Sequence, residues 1–474
     1  MKTDSLTSAC AFRRHLIGGF CSLGIGVVSL ILAIVLPIVV RNEFAKALKA
    51  SVLITSEDST YFDTWAHGSK KTPTYMKYYI FNVTNSEDVL KGDLPILEER
   101  GPYAYREHKN KNEFQTIETS EDLLLKYIPQ TYYVWDEEAS GDVSEDDVFT
   151  APSCAFWAID NIFREPDYVG YQPLLVSSSQ NAFNSTHSAP FITQTMKKLM
   201  WGYEDPLFAL LPSALGLPKL VRTDGSAFQM HMDDRVKKEG LVVWEDDLYR
   251  SIKLKFQEEV EEEGVKLWRF DLDDRVLMTA AENRGNDQYY MDTPRGASDL
   301  SKPLNGVPAW GSLPHFLGAP YYYDALGGAA SNLGPPDPAK HGIDIRVEPQ
   351  SGMTLNGVKR FQINMMINGN HSSPGDCSWT QNCKDLRQNL LVPVYWQEEA
   401  GKASKEDFKT LAKTLRTVSA LTDIFPCVAY PFGAVVTCLG MYLLILHRKR
   451  THHWVGWERD QTDDPTLYAP LESS

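Results

Sequence analysis

The chain has 474 residues, with 47 Lys plus Arg against 62 Asp plus Glu, a formal net charge of −15 and 43 % hydrophobic residues. A chain this acidic is a poor match for a phosphate backbone, so no nucleic-acid partner is expected. Its length allows one large domain or two to three ordinary ones.

In chain order, the N-terminal tail 1–15 ends in Arg13-Arg14-His15 and carries Cys10, either a palmitoylation candidate or an unmodified thiol. Residues 16–40 contain no charged side chain. A helix rising about 1.5 Å per residue crosses a hydrocarbon core of roughly 30 Å with a run of that length. A cleaved signal peptide is the competing reading, but the run is too long for one and lacks a small-x-small exit. Residues 41–51 extend the span as helix. The second uncharged run is 424–446, and His447-Arg448-Lys449-Arg450 follow it. Basic clusters flanking spans mark the cytoplasmic side. The expected topology is a hairpin, with tails 1–15 and 447–474 cytosolic and segment 41–423 lumenal or extracellular.

Segment 41–423 holds most of the acidic surplus and the sequons at Asn82, Asn184 and Asn370, as a glycosylated lumenal segment requires. Alternation with period two predicts half-buried antiparallel strands. "FQMHMDD" sets Phe228, Met230 and Met232 on one face, and "RFQINMMI" sets Phe361, Ile363, Met365 and Ile367 against Arg360, Gln362 and Asn364. "KLWRFDL" and "GIDIRVEP" read the same way. Gly101-Pro102 predicts a tight turn. "FITQTMKKLMWGY" predicts a helix with Ile192, Met196 and Leu199 on one stripe, stopped at Gly202, and "EDFKTLAKTLRTVSALTDIF" a helix running into the second span. "EEASGDVSEDD" and "SNLGPPDPAK" read as loops. No linker divides the segment, so one β-rich domain is expected.

Seven cysteines are present. In an oxidising compartment Cys377 and Cys383 are expected to close a loop, and Cys154 is read as a buried free thiol. No nucleophile elbow, zinc helix, phosphate loop or dinucleotide fingerprint occurs. His231 and His315 lack the spacing of a triad or a metal site, and the repeated "DDRV" reads as strand ends with local ion pairs rather than acid–base chemistry. No catalytic residue, metal or cofactor is expected, and the chain is not read as an enzyme.

Five blocks carry a family resemblance: "YYIFNVTNSEDVLKGDLPILEERGPYAYRE" (78–107), "LMWGYEDPLFALLP" (199–212), "SLPHFLGAP" (312–320), "VEPQSGMTL" with "KRFQIN" (347–364) and "LLVPVYWQEEAG" (390–401). Their order and spacing from about residue 40 to 446 resemble the class B scavenger receptor family, most closely its lysosomal integral membrane protein branch. The resemblance implies an α+β fold: an antiparallel β-barrel-like domain with a helical head and an apolar tunnel, flanked by two transmembrane helices. It further implies binding of sterol, phospholipid, fatty acid or lipoprotein, with lipid conducted towards the bilayer. Phe228, Met230, Met232, Phe361, Ile363 and Met365 are the tunnel candidates. The alternative is a sorting receptor escorting a lumenal protein cargo. The family's lumenal cysteines largely flank the "SLPHF" block, which has none here, so the Cys377–Cys383 pairing rests on compartment and spacing alone. The expected residence is the endosomal or lysosomal membrane, with the plasma membrane also open. In the cytosolic tail, Tyr468 and Leu471 fit a tyrosine-based address for a sorting adaptor.

Overall fold

The computed structural model describes residues 2–462 apart from 53, 55, 60, 69–72, 119–122, 165–180, 182, 208–224, 229–233, 290–294, 305 and 370–388. The helices at the two ends form one unit and Val52–Phe408 a second.

The first unit contains helix Lys2–Val52 and helix Phe425–Thr462; helix Lys405–Ser419 and the π-turn Ala420–Ile424 lead into the latter. Two stretches, Leu16–Leu48 and Lys405–Lys449, are long and apolar enough to cross a membrane. Ile17, Phe20, Val428 and Phe432 stand exposed on them, an arrangement costly in water and natural against hydrocarbon. The helices touch through glycine. A Cβ built on Gly19 would lie 3.3 Å from the Gly440 carbonyl oxygen, and one on Gly26 would lie 2.9 Å from that of Gly433. Lipid offers no hydrophobic drive to pair helices, so close backbone approach at small residues supplies the contact. Arg41 and Asp423 form an ion pair at 2.8 Å in the same antiparallel register.

The second unit is built on antiparallel strands β1 (Thr74–Val83), β2 (Leu97–Glu118), β3 (Leu123–Trp135), β4 (Val148–Pro152), β5 (Phe191–Thr195), β6 (Gly225–Phe228), β7 (Leu241–Glu245), β8 (Arg250–Glu262), β9 (Val265–Leu272), β10 (Ala297–Asp299), β11 (Ala309–Ser312), β12 (Asp344–Val347), β13 (Thr354–Ile367) and β14 (Leu390–Lys402). Twelve of them form one sheet along the path β6-β3-β2-β1-β14-β13-β12-β9-β8-β7, with β11 added on β13 and β10 on β11; β4 and β5 pair separately. The α+β half-barrel and the two flanking apolar helices match the expected class.

Several local expectations need correction. Gly101-Pro102 is not a turn: β2 runs through it, and the pairing with β1 jumps from Ile80↔Arg100 to Tyr78↔Tyr103. The dipeptide is a bulge opposite Tyr79, where proline's missing N–H breaks no ladder bond. A Cβ on Gly101 would stand 2.7 Å from the Tyr78 carbonyl oxygen. Residues 191–203 are not one helix. Phe191–Thr195 is strand β5, paired with β4, and only Met196–Trp201 is helical. Ile192, Thr193 and Thr195 are β-branched and favour the strand; the Thr195 hydroxyl then caps the helix by accepting from the Lys198 N–H. The loops read at 137–147 and 331–340 each contain one short helical turn, Glu137–Ser140 and Pro338–His341, capped by Asp136 and Asp337. Of the strand expected over 228–234, Phe228 closes β6 and Asp234 opens the helix Asp234–Glu239, and 229–233 lie outside the described residues.

Two apolar clusters lie to either side of the sheet's middle. One gathers Met76, Tyr78, Ile80, Tyr103 and Tyr105 with Met196; the other gathers Leu248, Ile252, Phe270, Val347 and Phe361.

Candidate functional site

Alternation sets Tyr103, Tyr105, Glu107, Lys109 and Lys111 on one face of β2. On β14 the corresponding face presents Tyr395, Gln397 and Glu399, and Lys359 on β13 lies opposite Glu399. The turn Asp246–Leu248 after β7 folds over this face. Asp247 accepts from Gln397 Nε2 at 2.5 Å, although β7 ends the sheet path and β14 stands in its middle. Asp246 acts electrostatically on Tyr127 and Asp247 on Tyr133, both on β3. The sheet therefore curls, and these residues line its concave side.

A belt of alternating charge crosses that side. Glu399 bridges two lysines, with Oε1 2.5 Å from Lys109 Nζ and Oε2 2.7 Å from Lys359 Nζ. Lys109 also pairs with Glu107 at 3.1 Å, and Lys359 with Glu245 at 3.2 Å. The acids at the ends differ electrically from the one in the centre. Burial penalises the charge of Glu399, but the Lys359 and Lys109 ammoniums outweigh it and hold the carboxyl down to about 2. Glu245 shares its one lysine with Glu399, and burial pushes it up to about 7; burial also raises Glu107 and Asp247. The side chains of Glu107 and Glu245 are 1 % exposed, whereas Lys109 keeps 44 % and Lys359 31 % of theirs. The belt is thus anchored in the wall and reachable through its lysines.

An aromatic group adjoins the belt. The Trp201 ring centroid lies 5.9 Å from that of Tyr78, 4.9 Å from Tyr105 and 5.1 Å from Tyr133, and its Nε1 donates to the Tyr105 hydroxyl at 3.0 Å. The Tyr133 hydroxyl reaches Glu107 Oε1 at 3.4 Å. Farther along β2, Lys111 donates to the Trp65 carbonyl at 2.6 Å and sits over the Trp65 and Tyr127 rings. Burial, with Lys109 adding repulsion, brings its ammonium down to about 8.

The other sheet face holds a histidine pair. His315 Nε2 lies 2.5 Å from Glu99 Oε2, its Nδ1 lies 2.8 Å from the Gly334 carbonyl, and its ring stacks on His341 at 4.1 Å. Both ring nitrogens therefore face oxygen acceptors. His341 Nδ1 accepts from the Asp337 N–H at 2.9 Å; burial and then the neighbouring His315 bring it down to about 4. The φ of +52° at His315 and +56° at Phe316 puts two side-chain-bearing residues in left-handed backbone, a strain held by the surrounding bonds.

The described tunnel candidates on β13 fall in different surroundings. Phe361 is buried among Leu248, Ile252 and Phe270, Met365 is buried with Trp310 and Trp396, and Ile363 is half-buried opposite Tyr395. Phe228 ends β6 opposite Leu124. His231, Met230, Met232, Asn370, Cys377, Cys383, Tyr468 and Leu471 lie outside the described residues. Cys10 lies on helix Lys2–Val52. Cys154 is free, and at the first residue of its helix it is exposed rather than buried; it acts electrostatically on Tyr203 and Tyr395. Asn184 is exposed on a helical turn, whereas half-buried Asn82 accepts from the Thr150 N–H at 2.8 Å. One "DDRV" copy does pair locally, Asp273 with Arg275 at 2.5 Å. Among the described residues no group of three or more His, Cys, Asp or Glu is arranged to hold a metal ion.

The charge belt was not foreseen from the sequence. Its signal was the run Tyr103, Tyr105, Glu107, Lys109, Lys111 at alternate positions, where one strand face passes from aromatic to charged.

Residues 24–220 and 218–444 match the model of the CD36 family. The chain is 25 % identical to Lysosome membrane protein 2 of Rattus norvegicus over 464 residues, covering 85 % of this chain and 91 % of the relative. It is 24 % identical to Lysosome membrane protein 2 of Homo sapiens (89 % of this chain, 95 % of the relative) and 21 % identical to Scavenger receptor class B member 1 of Bos taurus (96 % and 94 %).

Proposed function

The chain belongs to the CD36 family, and from that premise we propose that it is a two-span membrane receptor of endosomal and lysosomal membranes that binds lipid or lipoprotein and passes lipid through its half-barrel to the bilayer. The observation that carries this reading is the concave sheet face, where a reachable charge belt lies between two apolar clusters. A curled sheet whose wall passes from an apolar cluster through a charged belt to a second apolar cluster is the kind of wall an amphiphile-carrying half-barrel needs. Similarity to relatives named as a lysosome membrane protein and a scavenger receptor supports the compartment and the receptor role. In this reading both tails are cytosolic, Asn82, Asn184 and Asn370 carry glycans, Cys377 and Cys383 close a loop, and Tyr468 with Leu471 addresses the chain through an adaptor. Relocation of Tyr468→Ala to the cell surface is the expected outcome; an unchanged endolysosomal distribution rejects the address. Native mass spectrometry of the full chain released from mild detergent tests the main claim. It should show co-purifying sterol, phospholipid or fatty acid, and a protein that stays lipid-free after loading with each would overturn it.

A further inference from the structure

The turn Pro338–His341 lies at the protein surface, with Pro338, Ala339 and Lys340 exposed, yet the His341 ring it carries is buried. Arg360 Nη1 ties the end of the turn to the sheet by donating to the Gly342 carbonyl at 2.7 Å. His341 ties its start, with Nδ1 accepting from the Asp337 N–H at 2.9 Å. That second bond constrains the chemistry of the ring. An imidazole nitrogen that accepts a hydrogen bond has its lone pair turned to the donor, so the single ring proton of neutral His341 stands on Nε2. A second proton can go only to Nδ1, where it meets the Asp337 N–H head-on. The closed turn and an imidazolium at His341 are therefore mutually exclusive.

The surroundings act in the same direction. The ring stacks on His315 with centroids 4.1 Å apart and packs at 78° to Trp396 of β14, which is itself stacked on Tyr79 of β1. Burial is the first obstacle to a positive charge on the ring, followed by His315 from the segment Pro314–Phe316. Arg360 from β13 opposes the charge too, while Glu99 from β2 and Asp337 from the turn itself favour it. Both of those carboxylates already have partners: Glu99 lies against His315 Nε2, and Asp337 caps the turn by accepting from the Ala339 N–H. Arg360 is paired with Glu398 of β14 at 2.7 Å.

We propose that His341 is an acid-released latch: a proton taken up at Nδ1 breaks the bond to the Asp337 N–H, expels the ring from its slot beside His315 and Trp396, and frees the turn Asp337–Gly342 from the sheet. The latch is independent of the lipid-binding reading; the endolysosomal residence proposed above supplies the acid. Its sign follows from the two environments of the ring. Closed, the ring refuses the proton until pH falls to about 4; open, it titrates at an ordinary 6.5. Closure is fully favoured above 6.5 and is lost as pH falls towards about 4, because the open state binds the proton first.

The test is hydrogen–deuterium exchange of the full chain in mild detergent, corrected for the intrinsic pH dependence of exchange. It reads the amides of Lys340, His341 and Gly342, which donate to the Asp337 and Pro338 carbonyls. Their protection should fall by on the order of fiftyfold between about pH 7 and about pH 4.5. The turn Glu137–Ser140 is the control and should keep its protection, since the Ala139 N–H holds its capping Asp136 carboxyl below the ordinary range. His341→Asn retains an oxygen acceptor for the Asp337 N–H and takes up no proton, so its turn should be equally protected at both pH values. The readout is a ratio within one protein, so it decides the question even where the variant turn is looser throughout. Parent protection that is the same at both pH values overturns the latch. A fall that persists undiminished in His341→Asn overturns it as well.

Discussion

Glu245 and Glu399 sit in one belt and share Lys359, yet neutralising them should move stability in opposite directions. Glu399 is held down to about 2 from an ordinary 4.5. A depressed carboxyl contributes stability that is complete above the unfolded value and lost as pH falls towards the folded one. At about 1.4 kcal/mol per tenfold change in proton affinity, Glu399 contributes roughly 3 kcal/mol throughout the range from neutral to mildly acidic. Glu245 is raised to about 7. Between 4.5 and 7 the folded state holds a proton the unfolded state has released, so stability falls as pH rises, by up to roughly 3 kcal/mol. Gln mimics the protonated form of either residue. Glu399→Gln should therefore lower Tm at about pH 8 and about pH 5 alike, whereas Glu245→Gln should raise Tm at about pH 8 and leave it unchanged at about pH 5. For a unit the size of Val52–Phe408, an unfolding entropy of about 2.1 cal/mol/K per residue makes 3 kcal/mol equal to about 4 °C. Differential scanning fluorimetry of the detergent-solubilised full chain reads both shifts. A loss of Tm in Glu245→Gln at the higher pH would refute the claim that its charge is under-compensated.

Gly26→Leu should force the long helices apart, because even a Cβ there would meet Thr437 and the Gly433 carbonyl oxygen, at a cost of about 1–3 kcal/mol for overpacking; an unchanged Tm of the detergent-solubilised chain would show that the glycine contact is not needed. Glu99→Ala removes the acceptor at His315 Nε2 and should cost about 1.5–3 kcal/mol, read as a drop in Tm; an unchanged Tm would show that the ring needs no carboxylate. Asn184→Gln should remove one glycan's mass with no loss of Tm, because Asn184 is exposed, whereas Asn82→Ala also deletes the bond to the Thr150 N–H and should cost about 1 kcal/mol.

The apolar runs, strands β9, β12 and β13, and the helix leading into Phe425 were legible because each is periodic or uniform over a local window. The errors arose where a local pattern was ambiguous. Ile192, Met196 and Leu199 fit a helical stripe, but pairing with β4 decides that Phe191–Thr195 is a strand. Gly101-Pro102 spells a turn in isolation, and only the register with β1 makes it a bulge. The charge belt lies beyond local reading altogether. Lys109 and Glu399 are separated by 290 residues in sequence, and no spacing rule links them; sheet order does. The tunnel candidates illustrate the converse, since Phe361 and Met365 share a strand pattern yet belong to different apolar clusters.

The glycine contact between the long helices has a consequence in time. Gly19 and Gly26 leave the ribosome early, while Gly433 and Gly440 follow only after the whole sheet has been made. At about 5–20 residues per second, the first helix waits on the order of a minute with a glycine-bearing face and no mate. During that interval any other small-faced helix in the same bilayer is a competitor, or a chaperone. The seam can close only once Gly433 and Gly440 have been made, so a chain truncated before Gly433 leaves the glycine face of the first helix without this mate.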